Sequence, residues 1–342
     1  GDSKYYMRVK AMSSTTNESK WVYYKDGSSF KTKAEQIFNN VEATDLFEDH
    51  VNLSWTPGAV VTHITYVNAN DAENIQTINL TDEEKAAGKY TLTGLKPTST
   101  YTITIYKNDV KRGQLQVTTP AAPPAASIKY TLASDVTVIS QTLIDEIAEQ
   151  AKAEAGNETN YSATICIPAG AKVALYGTND SDGGKTNVTI PDGMSVTFFG
   201  LAGGEAPTIT LDKNFDIAGS HAFIKFQNVK LEENGAGYFI NQSKACTVSE
   251  FSMEDCEVSN LKTSFFRLQG SDAKSIGKLT LKNSIFTNLC AGYGFIHVDA
   301  GSGAGHVDNV EIDGCTFNSI CVTGKVFIFS KQTDMQDITI KN

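Results

Sequence analysis

Pairs of apolar residues separated by one residue recur through the C-terminal half of the chain. The start of each pair lies 31, 28, 27, 28, 31 or 28 residues after the start of the pair before it. Such alternation is typical of β-strands with one buried face, and a fixed period is typical of a solenoid. The pairs are Ile165-x-Ile167, Val196-x-Phe198, Ile224-x-Phe226, Phe251-x-Met253, Leu279-x-Leu281, Val310-x-Ile312 and Ile338-x-Ile340.

Each repeat contains enough apolar sequence for three strands. The alternating pair forms the first strand, and a turn-forming residue follows before apolar residues resume, as in Leu279-Thr-Leu-Lys-Asn283-Ser-Ile-Phe286. A third apolar run completes the repeat at 238–241, 265–268, 295–298 and 327–330. Because β-branched and aromatic residues dominate, strands are favoured over helices. The pattern predicts an all-β fold in which three strands per turn form a parallel β-helix.

The stretch from about residue 131 to residue 342 resembles the right-handed parallel β-helices of the pectate-lyase-like superfamily. The resemblance rests on the repeat and on Asn228, Asp255 and Asn283, which stand at the first bend of successive repeats. In that superfamily, side chains at this bend stack into a polar ladder. Gly314 occupies the same position in the next repeat and is expected to interrupt the ladder.

The two ends of the predicted β-helix differ. Residues 142–155 are predicted to form a helix that caps the first turn, because an open sheet end invites aggregation. Thr142-x-x-Asp145 has the pattern of a capping box, and Gly156 is a typical helix end. At the other end, the sequence stops on the first strand of a new turn, so we expect the β-helix to be incomplete there. The apolar stripe of the helix is Leu143, Ile144, Ile147, Ala148 and Ala151.

Residues 34–120 resemble a fibronectin type III module. Leu53-Ser-Trp55-Thr-Pro57 matches an early strand of such modules, and Gly94-Leu95-Lys-Pro97-Thr-Ser-Thr-Tyr101 matches their tyrosine corner. In that corner the tyrosine hydroxyl bonds to the backbone while the ring joins the core. Residues 1–33 repeat the pattern of the last two strands and are predicted to end a preceding module. Residues 121–130, which are rich in proline and alanine, are predicted to form a semi-stiff linker.

Charge and cysteine usage narrow the possible partners. The chain has 342 residues, a net charge of −10 and no cluster of Lys or Arg, which disfavours nucleic acid and anionic lipid. It has no apolar run long enough to span a membrane. The six cysteines show no CxxC spacing, so we expect no metal ion and no other cofactor. Cys290 and Cys321 could form a disulfide between adjacent turns, but buried free thiols are the favoured alternative.

The outer side of the third strand is the predicted recognition surface. Alternation places Phe266 and Ile296 inside and turns their neighbours outward. Sugars stack on aromatic rings, and Arg and His bind hydroxyl or carboxylate groups. The alternative is that another segment packs over these rings, because exposed apolar rows of this size are rare. The expected carbohydrate-binding rows are Tyr238, Phe265, Phe295 and Phe327, and beside them Ile240, Arg267, His297 and Phe329.

Together these features resemble secreted or lipid-anchored proteins with which Gram-negative gut anaerobes capture and break down glycans. The resemblance implies an extracellular or cell-surface location, a polysaccharide or oligosaccharide ligand, and partners among other surface glycan-uptake proteins. Catalysis has less support. Arg267 could be the base and Asp299 a calcium ligand of a lyase, but no second carboxylate shares these rows, and hydrolases need a carboxylate pair. The leading interpretation is a polysaccharide-binding protein, with a polysaccharide lyase or other carbohydrate-active enzyme, or a structural or adhesive spacer, as alternatives.

Overall fold

The structure is a computed structural model that describes residues 4–15, 17–31, 34–331 and 335–342. Strands account for 48% of the chain and helices for 9%, so the fold is all-β as predicted. The chain forms two compact units, Gly1–Ala121 and Ala122–Asn342. In the described ranges, no helix is both long enough and apolar enough to cross a membrane.

The first unit consists of antiparallel strands. β1 pairs with β4, β2 pairs with β3, and β5 pairs with β8, while a four-stranded sheet has the order β10-β9-β6-β7. Short 3-10 helices lie at Tyr24–Gly27 and Ala43–Asp45. The elements are β1 (Lys4–Tyr5), β2 (Arg8–Val9), β3 (Val22–Tyr23), β4 (Phe30–Lys31), β5 (His50–Ser54), β6 (His63–Asn68), β7 (Gln76–Asn79), α1 (Asp82–Ala87), β8 (Lys89–Thr93), β9 (Thr100–Lys107) and β10 (Val110–Thr118).

The β5-β8 pair and the four-stranded sheet share one hydrophobic core. Leu53 of β5 and Ile103 of β9 are both buried in it, together with Trp55. The ring of Tyr101 joins the same core, and its hydroxyl oxygen accepts a hydrogen bond from the backbone N–H of Lys96 at 2.9 Å. This bond is the one expected of a tyrosine corner, so the local prediction for these residues is confirmed.

The second unit is a parallel β-solenoid with one α-helix between its second and third strands. A further 3-10 helix lies at Gly301–Gly303. The elements are β11 (Ile128–Thr131), β12 (Val138–Ile139), α2 (Gln141–Ala155), β13 (Tyr161–Ile167), β14 (Lys172–Leu175), β15 (Gly177–Thr178), β16 (Lys185–Thr186), β17 (Val188–Ile190), β18 (Met194–Gly200), β19 (Thr208–Leu211), β20 (Phe215–Ile217), β21 (Gly219–Gln227), β22 (Lys230–Glu233), β23 (Tyr238–Gln242), β24 (Cys246–Glu254), β25 (Glu257–Ser259), β26 (Ser264–Leu268), β27 (Lys274–Lys282), β28 (Ile285–Leu289), β29 (Ile296–Val298), β30 (Gly305–Asp313), β31 (Thr316–Ile320), β32 (Ile328–Ser330) and β33 (Asp337–Lys341).

Three parallel sheets form the wall of the solenoid. The first has the order β11-β13-β18-β21-β24-β27-β30-β33, and the second has the order β12-β14-β19-β22-β25-β28-β31. The third has the order β17-β20-β23-β26-β29-β32. β15 and β16 form a separate antiparallel hairpin. One continuous hydrophobic core runs between the sheets, which confirms the predicted three strands per turn.

The register of the first sheet follows the predicted repeat closely. Val196, Ile224, Phe251, Leu279, Val310 and Ile338 pair in that order on successive strands. The first repeat differs, because Val196 pairs with Ala163 and not with Ile165. Ala163, Ile165 and Ile167 are all buried, so the apolar pattern of β13 could not distinguish the two registers.

The polar bend after the first strand is present in successive turns. Asn228, Asp255 and Asn283 have φ angles of +53°, +54° and +49°, and Gly314 at the same position has +61°. Asn and Asp tolerate this left-handed conformation better than most residues, which explains their presence. The Asn228 side chain donates a hydrogen bond to the carbonyl oxygen of Gly200 at 2.8 Å, so the bend also ties adjacent turns together.

Helix α2 begins slightly earlier than predicted. Ser140, and not Thr142, caps it, because the Ser140 hydroxyl accepts the backbone N–H of Leu143 at 3.2 Å. Gly156 ends the helix with a φ of +59°. The buried side of α2 joins the solenoid core through Ile144, Ile147, Ala148 and Ala151.

The predicted linker is shorter than expected. Ile128–Thr131 forms β11 and pairs with β13, so it belongs to the first sheet of the solenoid. Ile128 and Tyr130 pack against the solenoid core, and this burial outweighs the tendency of the neighbouring Pro and Ala residues to form a spacer.

All six cysteines are free thiols. Cys290 and Cys321 follow the directly paired residues Leu289 and Ile320 on adjacent strands. Burial raises the pKa of the Cys290 thiol to about 12, with the neighbouring Cys321 acting in the same direction. The structure therefore shows free thiols at both positions, with Cys290 buried as expected and Cys321 half-buried.

Candidate functional site

The third sheet corrects the predicted orientation of three aromatic rings. Phe265 and Phe295 have no exposed surface, and both belong to the core. Their rings stack at a centroid distance of 4.7 Å, and Phe327 stacks on Phe295 at 4.9 Å. The expectation that Phe265, Phe295 and Phe327 form an outer aromatic row is therefore wrong. Phe265 and Phe295 belong to the interior and Phe327 packs half-buried against it, so the observed placement also differs from the alternative of another segment packed over an outer row.

The wrong orientation predicted for Phe295 and Phe327 has a geometric reason. β29 begins at Ile296 and β32 begins at Ile328, so Phe295 and Phe327 lie just before a strand, where the chain turns into the third sheet. Inside-outside alternation applies within an extended strand and not across a bend. As a result, Phe295 and the adjacent Ile296 both point inward and are fully buried.

Tyr238 also lies in a different register from the one predicted. It pairs with Ser264 and not with Phe265, while Asn241 pairs with Arg267. The predicted outer row therefore gains Asn241 in place of Ile240, which is fully buried. Tyr238 itself is half-buried, and its ring centroid lies 6.4 Å from that of Tyr293.

Arg267, His297 and Phe329 occupy one outward row of the third sheet. Arg267 pairs with His297, and His297 pairs with Phe329, on β26, β29 and β32. All three are half-buried, whereas the residues before them in each strand lie in or against the core. Together with Tyr238, Tyr293 and Asp299 they form a contiguous group, named here the outer cluster.

An ion pair holds the centre of the outer cluster. Arg267 donates two hydrogen bonds to Asp299, from Nε at 3.1 Å and from a terminal nitrogen at 2.7 Å. The guanidinium carbon lies 3.9 Å from the centroid of the Tyr293 ring, so a cation–π contact covers its other side. The two charged side chains are only 11% and 16% exposed, which makes the arrangement well fixed.

His297 connects the ion pair to the aromatic end of the cluster. Its ring stacks on Phe329 at 4.5 Å and lies 4.9 Å from Tyr293. Its Nδ1 accepts a hydrogen bond from the backbone N–H of Gly294 at 3.2 Å. The proton of the neutral ring therefore resides on Nε2, which lies 3.7 Å from Asp299.

The charges of the cluster follow from burial and from the ion pair. Burial by itself lowers the pKa of Arg267 and raises that of Asp299. Their mutual hydrogen bonds and opposite charges outweigh burial, so the pKa of Arg267 is raised and the pKa of Asp299 is lowered. Burial lowers the pKa of His297, and the negative charge of Asp299 acts in the opposite direction. The positive charges of Arg267, Lys331 and Lys325 lower this pKa further, so it lies below its usual value. At neutral pH the cluster therefore contains a charged pair and a neutral imidazole.

Sequence patterns missed two members of this surface. Tyr293 lies in the connection before β29, so strand alternation did not apply to it. The signal that could have identified it is its position as an isolated aromatic residue between two glycines. Asn241 was missed because of the register error at β23. Its side-chain oxygen is buried and accepts no hydrogen bond from the described residues, so it is an unused acceptor beside Arg267.

Comparison with known proteins does not assign the chain to a family. No protein-family model matches the sequence, and no curated protein matches it. The chemistry of the outer cluster is therefore the basis for any functional assignment.

Proposed function

We propose that the protein binds polysaccharides outside the cell, at the outer cluster of its β-solenoid. The observation that carries this proposal is the group of ring faces formed by Tyr293, His297 and Phe329 around the Arg267–Asp299 pair. Sugar rings present C–H faces that pack on such rings and hydroxyl groups that bond to the neighbouring polar atoms.

The fixed geometry of the cluster favours binding of a flexible ligand. Arg267 uses two of its five N–H groups on Asp299, which leaves donors at a defined position. Because the ion pair and the stacked rings already restrict these side chains, little additional conformational entropy is lost when a ligand binds.

The same ion pair supports binding over a lyase reaction. Asp299 raises the pKa of Arg267 despite burial, so the guanidinium is a poorer proton acceptor than an unpaired arginine. Asp299 is itself engaged by Arg267 and is less free to hold a cation. We expect no ultraviolet absorbance from unsaturated uronate products when pectic substrates are incubated with the protein, and a rise in absorbance would favour the lyase alternative.

We further propose that residues 34–120 form a fibronectin type III module and that α2 caps the solenoid. Support for the first comes from the two antiparallel sheets and from the Tyr101 hydroxyl, which accepts the Lys96 N–H. Support for the second comes from the apolar side of α2, which lies in the solenoid core. A module of this kind followed along the chain by a pectate-lyase-like β-helix fits a secreted or lipid-anchored surface protein.

The test begins with a glycan array on the intact chain, followed by titration of the best ligand. Tyr293→Ala and Phe329→Ala should each lower affinity about two- to tenfold, because one aromatic contact contributes about 0.5–1.5 kcal/mol beyond its buried area. Phe223→Ala is the matched control. Phe223 is a half-buried ring on the first sheet with Lys225 5.2 Å from its centroid, so it offers a similar aromatic and cationic pair elsewhere on the solenoid.

Affinity should be unchanged in the Phe223 variant. If Tyr293→Ala and Phe329→Ala both retain full affinity, the outer cluster is not the binding site. If no glycan on the array binds, the spacer alternative becomes the better explanation.

A further inference from the structure

A polar cavity lies in the first unit, whereas the outer cluster belongs to the second. It has a volume of about 360 Å³, within the range usual for small-molecule sites. Tyr66 and Asn68 on β6, Gln76 on β7 and Tyr101 on β9 line it, together with the connection between β6 and β7. Two tyrosines among several carboxamide side chains are an unusual lining, because most ligand cavities are predominantly apolar.

The carboxamide groups of this cavity are held in defined orientations. The Gln76 amide donates a hydrogen bond to Asn74, and the Asn74 amide donates to Asp71 at 3.1 Å. The Asn68 side-chain oxygen accepts the backbone N–H of Asn70 at 2.9 Å. This chain of bonds leaves the Gln76 oxygen, the Asn68 amide and one Asp71 oxygen without a partner among the described residues. Both donors and acceptors therefore remain available to a ligand.

The two tyrosines add further unused groups. Tyr101 is only 5% exposed, and its hydroxyl accepts the Lys96 N–H, but no described residue accepts the hydroxyl proton. Tyr66 is half-buried with its ring 6.3 Å from that of Tyr101, and its hydroxyl forms no hydrogen bond in the described chain. A buried polar group with an unused donor is normally satisfied by water or by a ligand.

We propose that this cavity is a second carbohydrate site, which binds one or two units of a neutral sugar. Sugar hydroxyls donate and accept hydrogen bonds at once, which matches a lining that contains both carboxamides and phenols. Asp71 and Lys96 are the charged lining residues, and their charges cancel, so the cavity has no excess charge to attract an anionic ligand. The exposed part of the Tyr66 ring supplies a face for the C–H groups of a sugar.

The test uses the intact chain and a panel of neutral oligosaccharides, namely cellotriose, xylotriose, mannotriose, galactotriose and maltotriose. Binding is measured by titration calorimetry or by saturation-transfer NMR. Tyr66→Ala and Gln76→Ala should each weaken binding of the best trisaccharide at least about fivefold, as expected for a central contact of a small site. Gln76 is exposed, so its truncation leaves the core of the unit unchanged if Tyr66→Ala disturbs folding.

Tyr293→Ala serves as the control, because it alters the outer cluster and leaves this cavity intact. Unchanged trisaccharide affinity in that variant, with loss in the Gln76 variant, supports two independent sites. The proposal is overturned if none of the five trisaccharides binds, or if the Tyr66 and Gln76 variants both bind as tightly as the original chain. The polysaccharide proposal for the solenoid would stand in either case, since its own variants lie in the second unit.

Discussion

Replacing Phe295 with alanine should destabilise the β-solenoid strongly. The ring has no exposed surface and stacks between Phe265 at 4.7 Å and Phe327 at 4.9 Å. Phe286 and Phe317 contact it edge-on at 5.0 and 5.5 Å. The substitution therefore removes four aromatic contacts and leaves a cavity inside a rigid coil.

The expected loss is about 4 kcal/mol in the free energy of unfolding of the solenoid. Truncation of a buried phenylalanine typically costs about 3–5 kcal/mol, because the lost burial is compounded by a cavity that closes only partly. A loss of about 4 kcal/mol lowers the folding equilibrium constant about a thousandfold. With a urea dependence of roughly 3 kcal/mol per molar, the unfolding midpoint should fall by about 1 M or more.

The positions of the tryptophans allow the unfolding of the two units to be followed separately in one urea titration. Trp21 and Trp55 are the two tryptophans of the chain, and both lie in the first unit. Tryptophan fluorescence therefore follows the first unit, while far-UV circular dichroism reports both units, including the strands of the solenoid. In Phe295→Ala, the dichroism transition should move to lower urea while the fluorescence transition stays in place.

Phe329→Ala is the matched control for this measurement. Phe329 lies on the outer side of the same sheet, is half-buried and stacks on His297, so its loss should cost about 1 kcal/mol. A loss below about 1 kcal/mol for Phe295→Ala would refute the buried placement of the ring. It would restore the outward row that alternation predicts.

Two further substitutions test local features of the units. Tyr101→Phe should lower the stability of the first unit by about 1–2 kcal/mol, since the Lys96 N–H loses its acceptor, and an unchanged Trp55 fluorescence transition would show that this bond is unimportant. Burial raises the pKa of Asp255, helped by the charge of Glu254, so its carboxylate destabilises the fold above the raised pKa. Asp255→Asn should therefore gain only a few tenths of a kcal/mol at pH 7, because the residue is exposed and solvent screens its charge, and the gain should fade as pH falls through the folded pKa. Thermal melts of both proteins between pH 3 and pH 7 measure this difference, and a gain that grows in acid would contradict it.

Much of the fold could be predicted because the relevant signals are local. The alternating pairs from Val196 to Val310 place one face of each strand inside, and this determines their register. Asn228 and Asn283 adopt a conformation that few other residue types tolerate, so the bends were recognisable as well. The Tyr101 corner is likewise recognisable within a short segment.

The candidate site was predicted only in part. Arg267, His297 and Phe329 lie within strands, where alternation holds, and they share the outward row that was expected. Tyr293 approaches Arg267 from a connection whose path no periodic pattern describes. The polar cavity of the first unit gave no recognisable pattern in the sequence, because its lining residues come from separate strands and connections.

The sequence by itself determined the repeating coil, the polar bends and the tyrosine corner, because each depends on the conformation or burial of residues close together in the chain. The tertiary structure decided how the chain turns into the third sheet, and that turn placed Phe295 in the core, while Phe265 is buried within β26 next to the equally buried Phe266. It also decided that Asn241, not Ile240, stands beside Arg267. At a bend, contacts with neighbouring turns set the direction of a side chain, and those neighbours are distant in the sequence.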